Sequence, residues 1–358
     1  MKNYKKNKVN FRVTRKFGLT ECNYKAIIFS IFLISIFIGF ASCNGNPHDK
    51  KETTTISGIV TDAENYPMSD VEIVVDGITQ KTDKNGTFLI NEIELGNESK
   101  VIRFSKPGYF DNYRTVDLSE DLTQIQIALL PFGNKHGLRS NSTQMQNNRG
   151  GVLRLSDGSE IVFEAGSLST SDGKTNVYAC LTSPDEYVFA SSIPGNGLKG
   201  IYEEETYQLI AYSLFNVEIQ DYQQKAAKLT KPAILKTKIA PQDLEYMPNE
   251  MEFWSFDEES AMWKFEKMAQ KQGSYYVVEV DHFSSCMLGI STNQVAKVKG
   301  KVIDRSGRVI AGQNVIVGQT TSVTKNNGSY EAEVPANQTF FVGMKYKGFE
   351  IKMEAGPL

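Results

Sequence analysis

Histidine is almost missing from this chain: His48, His136 and His282 are the only three in 358 residues. None has a partner at the short spacing a zinc site needs, so histidine-based metal chemistry is excluded. Cysteine is as sparse, with Cys22, Cys43, Cys180 and Cys286 and no close pair, which rules out a disulfide framework or a paired-cysteine motif. There is no Gly-x-Ser-x-Gly elbow and no glycine-rich phosphate loop, so the common hydrolase and nucleotide-binding signatures are absent. No apolar run reaches the ~20 residues of a membrane span.

The longest apolar stretch is AIIFSIFLISIFIGFA, 16 residues without a charge from Ala26 to Ala41. Eight basic residues and one acid precede it, and the order of basic region, short apolar region and small residues is that of an export signal. Phe40-Ala41-Ser42-Cys43 looks like a lipobox, with Cys43 as the acceptor of a diacylglyceryl thioether and the first residue of the exported form. A short membrane span is the alternative reading of the same stretch. Acyl chains, at ~0.8 kcal/mol per buried methylene, hold a protein to a bilayer while leaving its mass in water. Residues 44–53 are polar and read as a tether, so 1–42 is expected to be a signal peptide and 43–53 a tether.

Residues 1–42 hold 8 of the 39 Lys+Arg and 1 of the 42 Asp+Glu, so the remainder carries 31 against 41, a net of −10. A body of that sign repels phosphate backbones, and nucleic acid is not an expected partner. Cys180 and Cys286 could pair or stand as independent buried thiols. The 316 residues from Cys43 onward exceed one core and predict two or three domains.

A repeat frames the chain. ISGIVTDAENYPMSDVEIVVDGITQKTDKNGTF from Ile56 matches VKGKVIDRSGRVIAGQNVIVGQTTSVTKNNGSY from Val298 at a constant offset of 242. Gly58 falls on Gly300, Val60 on Val302, Asp62 on Asp304, Gly86 on Gly328 and Phe88 on Tyr330. Two copies held apart by a different sequence indicate domain duplication, not a solenoid. Alternating Val71, Ile73 and Val75, and later Val315 and Val317, predict strands with one face buried. Asn-Gly pairs at 85–86 and 327–328 predict tight turns, and Asp62 and Asp304 are placed to accept backbone N–H bonds just after a strand.

The run Gly-x-Val-x-Asp, an alternating strand, Thr-Asp-x-Asn-Gly-x-Phe and a closing Lys-x-Gly-Tyr/Phe resembles the carboxypeptidase-regulatory-like domain, a small transthyretin-like sandwich also grouped with carbohydrate-binding-like folds. The resemblance covers 54–131 and 296–358 and implies a fold, not a peptidase: no His-x-x-Glu spacing is present. Asp83-Lys84-Asn85-Gly86 also lacks the further oxygen ligands of a calcium loop. The first copy continues into TQIQIALL, 123–130, a further strand without counterpart in the second. The second copy is therefore expected to show an unpaired edge, to be covered by another chain or by the neighbouring domain, or tolerated as a shortened sheet.

Between the copies, 132–149 reads as a polar linker and 150–292 as a third β-rich domain. Its strand candidates are Gly151–Leu155, Glu160–Phe163, Thr175–Leu181, Leu214–Ile219, Ala233–Ile239, Met251–Phe256, Met262–Phe265, Tyr275–Val280 and Cys286–Ile290. Trp254 and Trp263 flank an acidic turn, so that aromatic pairs across the hairpin pin its register and both indoles enter the core. Phe-Glu-Ala-Gly-Ser-Leu near the start and Asp-His-Phe-Ser at the end resemble the zona-occludens/netrin-receptor β-sandwich and its bacterial surface relatives. Some members of that family cleave themselves at the closing His-Phe-Ser. The resemblance implies a cut between Phe283 and Ser284, with His282 as base, the Ser284 hydroxyl as nucleophile and Asp281 orienting the imidazole.

The expectation is an all-β chain of three consecutive antiparallel sandwiches after a lipoprotein signal peptide, with no cofactor and no metal. Its place is the bacterial envelope, anchored at the outer membrane through acylated Cys43. Its role is adhesion, scaffolding or binding of a protein or glycan, without catalysis. A glycan-binding variant of this reading uses exposed aromatics at Tyr109, Phe110 and Tyr113.

Overall fold

The computed structural model describes residues 53–94, 99–116, 122–133, 138–170, 173–195, 197–346 and 349–357. The leader, Cys43, His48 and His136 lie outside the described residues. The described chain is all-β apart from one short helix, in several largely antiparallel sheets, and holds no helix long and apolar enough to cross a membrane.

The first unit contains β1 (Thr53–Thr61), β2 (Glu72–Val75), β3 (Ile78–Lys81), β4 (Thr87–Glu94), β5 (Lys100–Ser105), β6 (Asn112–Val116) and β7 (Leu122–Ala128). One sheet runs β4-β1-β7 and the other β3-β2-β5-β6. Alternation puts Ile56 and Val60 of β1, Ile73 and Val75 of β2, Ile102 and Phe104 of β5, and Ile125 and Ile127 of β7 into the common core. Strand β7 lies parallel to β1, a departure from the expected antiparallel sheet. After β6 the chain returns to the far side of β1 through a crossover, which delivers a strand in the same direction.

The middle unit contains β8 (Arg139–Gln146), β9 (Gly151–Arg154), β10 (Glu160–Phe163), β11 (Lys174–Thr182), α1 (Tyr187–Ser192) and β12 (Lys199–Tyr202). It continues through β13 (Glu205–Asp221), β14 (Ala233–Lys238), β15 (Glu250–Asp257), β16 (Met262–Gln272), β17 (Tyr275–Val280) and β18 (Ser285–Thr292). These strands form one continuous sheet, β8-β11-β13-β18-β15-β16-β17-β14-β10-β9, with β12 beside β13 and β16. The sheet curls until its two halves share a core, in which Val177, Phe215 and Leu288 meet Ile161, Leu235 and Tyr276. Trp254 stands opposite Phe265 and Phe256 opposite Trp263, with ring centroids 5.5 Å apart in each pair. Both indoles are buried.

The stretch expected to be a linker holds β8. Its sequence, RSNSTQMQ, hides a strand because it lies at the end of the path and pairs only with β11. Met145 and Ser140 are its buried side chains, too few to mark a period. Cys180 and Cys286 are both buried and unbridged, and burial pushes the Cys286 thiol up to about 12.

The last unit contains β19 (Val295–Lys301), β20 (Asn314–Val317), β21 (Thr320–Val323), β22 (Ser329–Pro335), β23 (Phe340–Tyr346) and β24 (Phe349–Ala355). It repeats the first unit with a sheet β21-β20-β23-β24, but among the described residues β19 pairs with β22 alone. The turns match the expectation: Asp62 Oδ1 accepts the N–H groups of Glu64 and Tyr66 at 3.0 and 2.9 Å, and Asp304 Oδ1 those of Ser306 and Arg308 at 2.8 and 3.0 Å. Gly86 and Gly328 sit at φ 72° and 75°. A Cβ there would lie 2.5 Å from the Val60 carbonyl and 2.8 Å from the Val302 carbonyl, so only glycine fits.

The first and middle units are joined by buried polar contacts. The Arg114 guanidinium donates to the Ile193 carbonyl and, at 2.8 Å, to the Ser191 carbonyl at the end of α1. Burial alone lowers its pKa to about 10. The Asn112 amide donates to the Ser192 carbonyl at 2.9 Å, and Gly195 N–H to the Tyr113 carbonyl at 3.0 Å. Carbonyls left over at a helix end must find donors, and β6 supplies them. The last unit is attached by a side-chain clamp: Ala211 N–H donates to Gln319 Oε1 at 2.8 Å and the Gln319 amide donates back to the Ala211 carbonyl at 3.0 Å. A register shift of β13 against β18 at this point leaves Ala211 able to receive it.

Candidate functional site

A cleft of about 940 Å³ opens between the first and middle units. It brings two distant sequence candidates together, since Tyr109, Phe110 and Tyr113 line it from one side and Phe283 and Ser284 from the other. The Lys106–Phe110 loop is tied back on itself by Tyr109 N–H to the Lys106 carbonyl at 3.0 Å and by Phe110 N–H to the Leu130 carbonyl at 2.9 Å. Opposite stand Asn216 and Glu218 on β13 and the acidic hairpin tip with Glu258 and Glu259.

The three aromatics do not form the exposed platform expected of them. Phe110 is 7 % exposed and Tyr113 8 %. Phe110 packs edge-on to Phe132 at 4.8 Å, and Phe132 stacks on Tyr178 of β11 at 4.6 Å, so the ring bridges two units instead of facing water. Tyr113 packs against Phe256 at 5.7 Å and donates its hydroxyl to Glu258 Oε2 at 2.6 Å. Burial, reinforced by the Glu258 carboxylate, drives the Tyr113 phenol far above its ordinary value. Tyr109 alone is half-exposed, resting on the first core with its ring at the cleft wall.

The cleft floor is polar and partly dehydrated. Burial raises the Asp111 carboxyl although Arg103 opposes the rise through a 2.8 Å hydrogen bond from its Nε. Burial likewise raises Glu218, opposed by the Gln220 amide. Asn216 accepts the Ser285 hydroxyl at 2.6 Å, while its amide nitrogen is buried with no hydrogen-bond partner. Partly desolvated carboxylates and amides form strong hydrogen bonds to any hydroxyl that enters. Sequence reasoning missed Asn216 and Glu218 because they are the polar phase of a regular alternation, Phe215-Asn216-Val217-Glu218-Ile219, which reads as an ordinary solvent-facing side of a strand.

The Asp-His-Phe-Ser corner is not assembled for self-cleavage as expected. Asp281 pairs with Lys267 at 3.1 Å, and the carboxylate nearest the His282 imidazole is that of Glu266, at 4.0 Å. The orienting role expected of Asp281 is corrected accordingly. The Ser284 hydroxyl donates to the Ser285 carbonyl at 3.1 Å, and no hydrogen bond joins it to His282. Phe283 packs on Phe163 at 5.9 Å, and its peptide has neither positive φ nor a cis bond.

No family model matches the chain, and no curated protein matches its sequence. Solved structures to which the chain shows some likeness include the major pilin subunit BcpA of Bacillus cereus, at 6 % identity and TM-score 0.19, covering 85 % of this chain and 95 % of that one. A candidate membrane-associated protein of unknown function from Bacteroides fragilis shows 8 % identity, TM-score 0.21, and covers 67 % and 99 %. A candidate carbohydrate-binding protein from Bacteroides uniformis shows 9 % identity, TM-score 0.18, and covers 63 % and 99 %.

Proposed function

We propose that this is a cell-envelope binding protein without catalytic activity, held to the outer membrane by a lipid on Cys43, that receives its ligand in the cleft between the first and middle units. Two carboxypeptidase-regulatory-like sandwiches flank a central module in this reading. The observation that carries it is the buried junction of β6 with α1, which fixes the cleft walls relative to each other. A preformed concave site lined by a few convergent polar groups is the usual form of a small-ligand pocket.

The lining favours a neutral polyhydroxylated ligand such as a glycan. Asp111, Glu218 and the Asn216 amide offer hydrogen bonds to hydroxyls, and the half-exposed Tyr109 offers a ring face to sugar C–H groups. A glycan array on the purified chain tests this: binding that falls at least tenfold in Tyr109→Ala and Glu218→Gln supports the reading. The absence of any hit, or binding indifferent to both substitutions, rejects it in favour of a protein ligand, which a pull-down from native membranes would identify.

A further inference from the structure

Where all three units meet there is a second cavity, of about 290 Å³. Strands β6 and β7 line it from the first unit, α1 with Gly195 and Gly197 from the middle one, and β21 from the last. One group on its wall carries a charge that no carboxylate offsets. The Arg114 guanidinium has five N–H donors in a planar fork, and three of them are used. Nη1 donates to the Tyr113 carbonyl at 3.1 Å and to the Ile193 carbonyl, and Nη2 to the Ser191 carbonyl at 2.8 Å. Among the described residues the Nε–H and one Nη2–H have no acceptor, and no carboxylate pairs with the group.

The joint with α1 accounts for the donors and not for the charge. Asn112, earlier on β6, meets the Ser192 and Ala128 carbonyls with a neutral amide at 2.9 and 3.1 Å. The sandwich does not call for an arginine either. At the offset of 242, Val74 opposite Arg103 corresponds to Ile316 opposite Gly343. Arg103 faces Tyr113 and Gly343 faces Lys352, so Arg114 falls on Met353 in the second copy. The same fold is thus built there without a charge. A cation withdrawn from water is costly unless an opposite charge meets it, and burial disfavours this one.

The rest of the wall suits an anion. Gln124 on β7 and Thr321 and Ser322 on β21 are neutral and polar. Glu331 is the one acid on the wall among the described residues, and Lys299 holds it at 2.6 Å, so its charge is already balanced. An arginine fork with neutral polar neighbours is well matched to a carboxylate or a phosphate.

We propose that this three-unit junction binds a small oxyanion, the carboxylate or phosphate group of a free ligand, through the two unused N–H groups of Arg114. Oxygens of that group accept the Nε–H and the Nη2–H, and β7 and β21 border the rest of it. The bound anion bridges the first and last units, at a place separate from the ligand cleft.

The test titrates the purified full chain with sodium phosphate and with sodium glucuronate, each against sodium chloride at the same ionic strength. The Arg114 Nε–H signal in proton–nitrogen NMR, assigned by its loss in Arg114→Lys, should shift saturably with phosphate, glucuronate or both. The melting temperature should rise with the same anion, as a ligand bound only to the native state requires, and chloride should do neither. A tighter response to phosphate assigns free phosphate or a phosphate ester as the source, and a tighter response to glucuronate an acidic sugar. Gln124→Glu and Ser322→Glu place a negative charge on the wall from two different units. Gln124 is exposed and Ser322 half-buried, so both variants should fold, and each should bind the anion at least tenfold more weakly. An Arg114 signal indifferent to both anions would overturn the proposal, because a group of the chain itself then holds the fork. An equal response to chloride, or unchanged affinity in the two folded variants, would overturn it as well.

Discussion

The two copies of the repeat share turns, strand order and buried threonines, yet among the described residues only the first has a strand on the second side of its leading strand. In the first, Thr82 accepts Val71 N–H at 3.0 Å, and in the last Thr324 accepts Gln313 N–H at 2.9 Å, so the hairpin scaffold is the same. The first copy adds β7, buries Ile125 and Ile127 beneath it, and inserts Arg114 and Asn112 into the middle unit. Among the described residues the last copy shows no strand in that place, and it meets the middle unit through the Gln319 clamp and a surface pair, Lys199 to Glu333 at 3.1 Å. The same sandwich sequence thus docks on the middle unit through a buried guanidinium in one copy and through a side-chain amide in the other.

The sharpest way to break the comparison is to place proline at equivalent positions. Ser57→Pro removes a donor to β7 and should cost about 2–4 kcal/mol, a lost ladder bond plus an unpaired carbonyl. Lys299→Pro should cost under about 1 kcal/mol, since edge strands tolerate proline where the N–H faces solvent. Thermal denaturation of the two variants measures the difference, and equal losses would contradict it. Arg114→Met should be next, at about 2–3 kcal/mol, because it leaves the α1 carbonyls buried without donors. In calorimetry the first unit should then unfold separately from the middle one. Gln319→Ala should cost about 1 kcal/mol and free the last unit to reorient, which small-angle scattering would register as a larger radius of gyration.

The smallest effect is electrostatic. The Ser306 hydroxyl first, and Arg308 with it, hold the Asp304 carboxyl well below its ordinary 3.8, and the backbone N–H of Thr87 lowers Asp83 in the first copy. A carboxylate whose folded value is depressed contributes stability that is complete above the unfolded value and is lost as pH falls through the folded one. Asp304→Asn should therefore melt lower than wild type at pH 7, and the gap should close as the pH falls below about 4. At the Asp-His-Phe-Ser corner no effect is expected: wild type and Ser284→Ala should each run as one intact band on a denaturing gel.

Much of the architecture was legible because turn chemistry is local. Gly86, Gly328, Asp62 and Asp304 announce the repeat, and Trp254 with Trp263 announce a hairpin in register. Strand β8 was not legible, since an edge strand with little buried surface has no period to read. Helix α1, Tyr187–Ser192, was missed because six residues hold too little pattern. The candidate aromatics were found as residues and misjudged as surfaces. What buries Phe110 and Tyr113 comes from Phe132, Tyr178, Phe256 and Glu258, mostly far along the chain, where no spacing rule reaches. The cleft itself was invisible for the same reason, as it exists only where two units meet.

The unequal joints also set a mechanical order. Under tension drawn between the two ends of the chain, a pair of hydrogen bonds from a single side-chain amide should yield before a guanidinium sunk among carbonyls. The Gln319 clamp would then act as a fuse, letting the terminal sandwich swing loose while the walls of the cleft keep their spacing.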